Sequence, residues 1–267
     1  MPRLAISNLA WTGNDDVILT RLAELGVEGV EIAPSKVAPW DQLNESKMKE
    51  FRRTVASYGL EISSFQAFFF GFPSFQLLGN QTSYRALSDH MERVCQLASV
   101  AGAEILVFGA PKNRLLLGHT MEASRRLAVD RLSELGIIAK KYGVCIGLEA
   151  VPIAYGGEFI TSYRESLGLV REVDSPGLVF HLDAACTWLQ GDDIKLAIQE
   201  AADEIAHFHI SQPNLLNFSD AADYHSIAAK NLAKVGYDKW LCIEMLQSEN
   251  TLQSVTDALN YVRKVYF

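Results

Sequence analysis

The stretch from residue 178 to residue 210, LVFHLDAACTWLQGDDIKLAIQEAADEIAHFHI, carries the pattern that decides the fold. Two short apolar runs within it, Leu178–Asp183 and Ala206–Ile210, are typical of buried strands. The segment between them, Ile194–Ala202, has apolar residues at helical spacing. A strand, a helix and a second strand in this order predict a βαβ unit, in which the two strands are parallel.

The same alternation runs along the whole chain. Further strand-like runs are Leu4–Ser7, Gly29–Ile32, Glu61–Phe65, Ile105–Phe108, Cys145–Glu149 and Leu241–Met245. Further helix-like runs are Asp15–Leu25, Glu45–Tyr58, Tyr84–Ala101, Met121–Tyr142, Tyr163–Val173, Tyr224–Val235 and Leu252–Val265. Ser46, Ser83 and Asp223 are expected to cap helix N-termini.

Eight strand–helix units in 267 residues predict a (β/α)8 TIM barrel, a fold that needs about 250 residues. An open, doubly wound sheet is the weaker interpretation, because no G-x-G-x-x-G motif follows the first strand. No linker rich in Gly, Pro or Ser interrupts the pattern. We therefore expect residues 1–267 to form a single domain.

Composition argues against several classes of partner. The chain has 24 Lys and Arg and 32 Asp and Glu, giving a net charge of −8, whereas nucleic-acid-binding domains usually carry a basic excess. No run approaches the 18 apolar residues of a membrane span. The four cysteines have no C-x-x-C spacing, and the N-terminus lacks a signal-peptide pattern. These features predict a cytoplasmic protein that binds neither nucleic acid nor membrane.

In a TIM barrel the active site lies at the C-terminal ends of the strands. The last four predicted strands end in Glu149, Asp183, His209 and Glu244. Carboxylates and one imidazole suit Mn²⁺, Mg²⁺, Co²⁺ or Zn²⁺. A single acidic residue at a strand end can simply cap the next helix, but four successive strand ends indicate a metal site. Without a cation, three such carboxylates would raise one another's pKa.

Other histidines are expected to have supporting roles. His181 and His207 lie two residues before Asp183 and His209, so they point to the same face of their strands, one layer deeper. We expect both to be polar core residues, or groups that hydrogen-bond a metal ligand, rather than ligands themselves. The remaining three, His90, His119 and His225, are expected to be solvated.

Candidate substrate contacts follow the first four strands: Asn8, Trp11, Glu31, Gln66 and Lys112. Trp11 could form an aromatic wall of the pocket, and Lys112 would favour a phosphate or carboxylate group on the substrate. The alternative for Lys112 is an ordinary solvated loop charge.

At these strand ends the sequence resembles the xylose isomerase-like TIM-barrel superfamily, from LAISNLAW (4–11) through GVEGVEIAP (26–34) to CIEML (242–246). The resemblance implies that Glu149, Asp183, His209 and Glu244 hold one divalent ion, with Mn²⁺ the first candidate and Mg²⁺, Co²⁺ or Zn²⁺ the alternatives. It also implies that Glu149 and Glu244 serve as acid and base on opposite faces of a small, carbohydrate-like substrate. By the same analogy the protein could form homo-oligomers.

Two positions depart from the pattern of the ketose 3-epimerases in this superfamily. Those enzymes usually read L-D-x-x-H after strand six, and Cys186 stands at the His position. They also often carry an Arg six residues after the metal-binding His, where this chain has Leu215. The polar residues Ser211, Gln212 and Asn214 of the same loop are expected to replace the missing substrate contacts.

The leading hypothesis is a metal-dependent isomerase or epimerase that acts on a small sugar, sugar phosphate or related hydroxy-ketone through an enediolate. A dehydratase that uses the same metal site on a polyol- or shikimate-like ketone remains open. So does a catalytically idle barrel that binds carbohydrate, because Cys186 and Leu215 replace two polar contacts. Apurinic endonuclease activity is disfavoured by the acidic charge and by the absence of a richer histidine cluster.

Overall fold

Eight short parallel strands surround the central axis of the protein, and the first pairs with the last to close a barrel. The computed structural model describes all residues from 1 to 267. The strands are β1 Arg3–Ser7, β2 Gly29–Ile32, β3 Glu61–Phe65, β4 Ile105–Phe108, β5 Cys145–Leu148, β6 Leu178–Asp183, β7 Ile205–Ser211 and β8 Trp240–Glu244. The predicted (β/α)8 TIM barrel is confirmed.

Helices cover the outside of the barrel and connect successive strands. They are α1 Asp15–Glu24, α2 Pro34–Val37, α3 Glu45–Ser57, α4 Gln81–Ala101, α5 Met121–Lys141, α6 Tyr163–Val173, α7 Ala184–Leu189, α8 Ile194–Ala201, α9 Tyr224–Lys234 and α10 Thr251–Tyr266. The short helices α2 and α7 were not predicted, because a helix of four to six residues is too short to show a helical period. Glu149 lies one residue beyond β5 instead of within it.

Side-chain capping fixes where several helices begin. The side chains of Asn44 and Asn80 accept hydrogen bonds from the first-turn amides of α3 and α4. The prediction of Ser46 and Ser83 as caps was therefore wrong, since the asparagine a few residues earlier in the chain takes the role in each case. Asp223 precedes α9 but makes no side-chain cap hydrogen bond.

Two irregularities in strand register align the polar residues inside the barrel. Between β2 and β3 the register shifts so that Glu31 lies beside Ser64. Between β6 and β7 a second shift places His181 beside His207 and Asp183 beside His209. Such bulges redirect side chains and are frequent next to active sites. The second shift lies just before the ends of β6 and β7, where Asp183 and His209 stand.

One apolar core of 67 buried residues fills the space between the sheet and the helices. None of the helices is both long and apolar enough to cross a membrane. The four cysteines are unpaired: three are buried and Cys145 is partly exposed.

Two of the three histidines predicted to be solvated are in fact buried. His90 packs among Trp40, Phe69 and Phe72, and its Nε2 lies 2.7 Å from the carbonyl oxygen of Phe68. His225 is fully buried among aromatic rings of α9 and α10, with Nδ1 2.8 Å from the Tyr266 hydroxyl. Both expectations failed because each ring fills an aromatic pocket that only the tertiary fold creates. His119 is exposed, as predicted.

Burial lowers the pKa of His225 to about 4. Because an unfolded histidine titrates near 6.5, the unfolded chain binds the extra proton first as the pH falls, and the folded state loses stability between these two values. For His225→Phe we expect the drop in unfolding free energy between about pH 7 and about pH 5 to be smaller by about 2 kcal/mol. Urea unfolding at both pH values measures this. An undiminished drop would contradict the assignment, and His119→Phe is the exposed control.

Candidate active site

Four side chains from consecutive strand ends converge at one mouth of the barrel. The Nδ1 atom of His209 lies 3.3 Å from Glu244 Oε2 and 3.8 Å from Asp183 Oδ2. Potential ligand atoms of Asp183, His209 and Glu244 all lie within 4.8 Å of one another, and Glu149 joins His209 in a second such group. Asp183, His209 and Glu149 are buried, and the side chain of Glu244 is 12% exposed. The structure therefore brings the four predicted metal ligands together.

The carboxylate of Asp183 is held by hydrogen bonds from helix α7 and from the end of β7. Its Oδ1 accepts a hydrogen bond from the Cys186 amide, and its Oδ2 accepts one from the Ser211 hydroxyl, each at 2.6 Å. The first of these bonds also caps helix α7. Each oxygen still has a lone pair for a further partner. This side chain is consequently fixed in place before any ion binds.

His209 is oriented by a carboxylate on the opposite side of the barrel. Its Nε2 lies 3.0 Å from Glu31 Oε2, whereas its Nδ1 faces the acidic cluster and has no hydrogen-bond partner. The Glu31 carboxylate in turn accepts hydrogen bonds from Ser64 at 2.8 Å and from Gln66 at 2.7 Å. A metal-binding histidine commonly donates its second ring N–H to a carboxylate in this way. The arrangement leaves Nδ1 free to bind a cation.

The electrostatics of the cluster also suit a cation. Burial, followed by the charge of Asp183, raises the pKa of Glu149 well above its usual range. Burial likewise raises the pKa of Glu244, although His209 opposes the shift. Burial alone would lower the pKa of His209, but the charges of Glu31 and Glu244 outweigh it and raise the pKa. A bound divalent ion would stabilise the ionised carboxylates and release the proton from His209.

Glu149 depends on two neighbours after β4, Gly109 and Arg114, whose relation to it the sequence did not predict. A methyl carbon built on Gly109, which follows β4, would lie 1.5 Å from Glu149 Oε2, so only glycine leaves room for this carboxylate. Arg114 donates a hydrogen bond from Nη1 to the Glu149 carbonyl oxygen at 2.7 Å. The Arg114 side chain is fully buried, and its Nε and Nη2 have no partner. This buried cation partly offsets the negative charge of the cluster.

A cavity of about 560 Å³ opens beside the cluster, and both Glu149 and Glu244 line it. Its walls are largely apolar, and its other lining residues include Leu9, Phe68, Phe69, Phe70, Val107 and Leu215. Gln66, Lys112 and Asn113 add polar groups. The volume lies within the range of small-molecule sites.

Of the nine predicted substrate contacts, the structure places Gln66 and Lys112 on the cavity wall. Asn8 accepts a hydrogen bond from the Ala33 amide, and Trp11 is buried with its Nε1 donating to Asp15. The Glu31 carboxylate already contacts the ring of His209, with 3.0 Å between Glu31 Oε2 and His209 Nε2. These three side chains are thus occupied within the protein, and their contact with substrate stays a prediction.

The remaining four predicted contacts follow β6 or belong to the segment that starts at the end of β7. Ser211 supports Asp183, and Gln212 is buried with its amide nitrogen donating to the Asp220 carbonyl oxygen. The backbone amide of Asn214 donates to the Tyr155 hydroxyl. A potential ligand atom of Cys186 lies within 4.8 Å of ligand atoms of Glu149 and Asp183. Direct substrate contact by these residues also stays a prediction.

Comparison with known proteins identifies the family of this chain. The family described as "Xylose isomerase-like TIM barrel" matches residues 19–265. The chain belongs to this family. Comparison with the curated proteins found no match.

Several solved structures have the same fold. D-psicose 3-epimerase with D-tagatose from Clostridium cellulolyticum H10 has a TM-score of 0.82 at 15% identity, covering 99% of both chains. The 3-keto-D-glucoside 4-epimerase from E. coli has a TM-score of 0.81 at 17% identity, covering 99% of this chain and 100% of that one. An AP endonuclease, family 2, from Brucella melitensis has a TM-score of 0.78 at 19% identity, covering 99% of both. At these identities the likeness shows the fold alone.

Glu31→Gln tests the support of His209. The substitution keeps the shape of the side chain but removes the charge that accepts the His209 N–H, so the imidazole loses its fixed orientation. We expect the dissociation constant for Mn²⁺ to rise about 10–100-fold, the usual cost of losing an outer-shell partner. Competition with a fluorescent chelator measures it. The control is Glu61→Gln, which changes an exposed carboxylate on β3 and should leave the Mn²⁺ affinity unchanged. Unchanged Mn²⁺ affinity in Glu31→Gln would contradict the proposed support of His209.

Proposed function

We propose that this protein is a divalent-metal-dependent epimerase or isomerase of a small ketose or related hydroxy-ketone. The observation that carries the proposal is the convergence of Glu149, Asp183, His209 and Glu244 on one side of a cavity of about 560 Å³. The unpartnered Nδ1 of His209 and the lone pairs left on Asp183 fit a cation held by these four residues. Mn²⁺ is the first candidate, with Mg²⁺, Co²⁺ and Zn²⁺ as alternatives.

Glu149 and Glu244 are the proposed acid and base. Both line the cavity, and Glu149 directly follows β5 whereas Glu244 ends β8, so their carboxylates approach a bound substrate from different directions. One carboxylate removes a proton from the carbon next to the substrate carbonyl, and the other returns a proton to the opposite face. When bound, the divalent ion supplies Lewis-acid stabilisation of the negative charge that develops on the substrate oxygens.

The cavity indicates how the substrate is held. Phe68, Phe69 and Phe70 provide an apolar wall for the carbon face of a sugar, while Lys112 offers hydrogen-bond donors. Gln66 offers its side-chain oxygen as an acceptor, because its amide N–H groups already donate to Ser7 and Glu31. Lys112 is exposed and is the cation that lines the cavity, so it is the proposed contact for a phosphate or carboxylate group. The sugar substrates of the structurally similar epimerases are consistent with this class.

Two measurements test the proposal together. The first is metal analysis of the purified protein, for which we expect close to one equivalent of a divalent metal per chain. The second is mass spectrometry of products from a panel of ketoses and ketose phosphates, where epimerisation leaves the mass unchanged. A product lighter by one water would replace the proposal with a dehydratase. Protein that neither binds metal nor turns over any ketose would favour the idle carbohydrate-binding barrel.

A further inference from the structure

The side chain of His181, on β6, has no partner in the barrel interior. It is 1% exposed, and both Nδ1 and Nε2 lack a hydrogen bond. Of the two expectations for His181, a polar core residue or a group that hydrogen-bonds a metal ligand, the first agrees with its burial, and the second fails because neither ring nitrogen makes a hydrogen bond. A buried polar group without a partner loses its hydration with nothing to replace it, so such an imidazole requires an explanation. Its neighbour His207 is different, since Nε2 of that ring lies 3.1 Å from the Ser64 hydroxyl.

The free imidazole points at the candidate metal site. His181 Nε2 lies 3.7 Å from Glu149 Oε1, which is too long for a hydrogen bond but ordinary for two atoms that bind the same ion. The centroid of its ring is 4.3 Å from that of His209. Ligand atoms of Glu149, His181 and His209 all lie within 4.8 Å of one another.

Two features of the barrel give His181 this position. The register shift between β6 and β7 pairs it with His207, one layer below the pair formed by Asp183 and His209. On the other side, β5 carries Gly147, and a methyl carbon there would lie 3.3 Å from His181 Cβ. Glycine on the adjacent strand thus leaves space for the imidazole beside Glu149.

We propose that His181 Nε2 is a further ligand of the divalent ion held by Glu149, Asp183, His209 and Glu244. The inference rests on the metal site of the proposed function and adds a second imidazole to it. The desolvated ring then gains a partner, which removes the cost of leaving it unpaired. A second nitrogen ligand also changes metal selectivity, because imidazole suits Zn²⁺ and Co²⁺ better than it suits Mg²⁺.

Cu²⁺ is a suitable probe, since it binds nitrogen and oxygen sites most tightly among the divalent first-row ions. Electron spin echo envelope modulation of the Cu²⁺-loaded full chain counts the coordinated imidazoles. We expect two in the wild-type protein, one in His181→Gln and one in His209→Gln. His207→Gln is the matched control. It replaces a neighbouring buried histidine and should leave the count of coordinated imidazoles at two.

A wild-type count below two overturns the proposal even if a variant fails to fold, whereas a count of two is assigned to particular histidines by the variants. A single imidazole that disappears in His209→Gln would overturn the role of His181 while leaving the proposed metal site intact. Loss of one imidazole in His207→Gln, but not in His181→Gln, would instead assign the ion to the deeper group of Glu31, His207, His209 and Cys242. A spectrum without imidazole modulation would overturn both this inference and the metal site on which it rests.

Discussion

Glu149→Gln and Glu244→Gln, made separately, are expected to lower the rate of epimerisation by about 10²–10⁴-fold, the usual contribution of a general acid or base. Each change keeps the size of the side chain but removes its ability to exchange a proton. Both residues line the cavity beside His209, so the loss should affect turnover far more than folding. Rates are measured by NMR on the ketose that gives the highest wild-type activity.

Both glutamates are also proposed metal ligands, so loss of the ion must be separated from loss of the acid or base. Asp183→Asn provides the control, because Asp183 lies in the metal cluster and does not line the cavity. We expect this variant to bind metal more weakly and to recover activity at saturating Mn²⁺. The two glutamate variants should keep their loss of about 10²–10⁴-fold under the same conditions. Wild-type turnover by either metal-replete glutamate variant would show that it is neither the acid nor the base.

Gly109→Ala is expected to reduce turnover by about 10²-fold, since a displacement of about 1 Å at a reacting group can cost this much. The new methyl carbon would lie 1.5 Å from Glu149 Oε2 and 2.7 Å from its Cδ. The end of this side chain can rotate away, so we expect the melting temperature to change little while the carboxylate leaves its position. Activity and thermal unfolding are measured on the same preparation.

Gly168→Ala, in helix α6, is the matched control. A methyl carbon there would meet only Arg125 Nη2, at an ordinary contact distance of 3.5 Å. It should leave both turnover and stability close to those of the wild-type protein. If Gly109→Ala kept full activity, the position of Glu149 in this structure would not be the one that the reaction uses.

Much of this architecture is predictable from the sequence because it depends on local periodicity. Strand-like and helix-like runs alternate eight times, and the polar residue that ends each late strand must lie at the barrel mouth. The convergence of Glu149, Asp183, His209 and Glu244 follows from these two facts. Short helices such as α7, and bulges such as the one between β6 and β7, leave no periodic signal.

The partners of individual side chains depend instead on contacts between distant segments. Nothing in the sequence distinguishes Ser211, which supports Asp183, from a residue that faces the cavity. Arg114 follows β4 in the same loop as the exposed Lys112, but its side chain is buried and donates to the Glu149 carbonyl oxygen. Glu31 reads as a strand-end contact for substrate but receives the His209 N–H from across the barrel. The spacing of residues predicts which face of a strand a side chain occupies, but not the group it meets there.

Exchange of substrate hydrogen with deuterated water tests the central claim most directly. The metal-replete protein is incubated with ketoses and ketose phosphates in D₂O, beside a chelator-treated sample, and both are followed by NMR. For at least one ketose we expect deuterium at the carbon next to the carbonyl, together with formation of the epimer or isomer. In the chelator-treated sample we expect neither deuterium incorporation nor product. Exchange that persists without metal, or no exchange with any ketose by metal-loaded protein, would contradict the central claim.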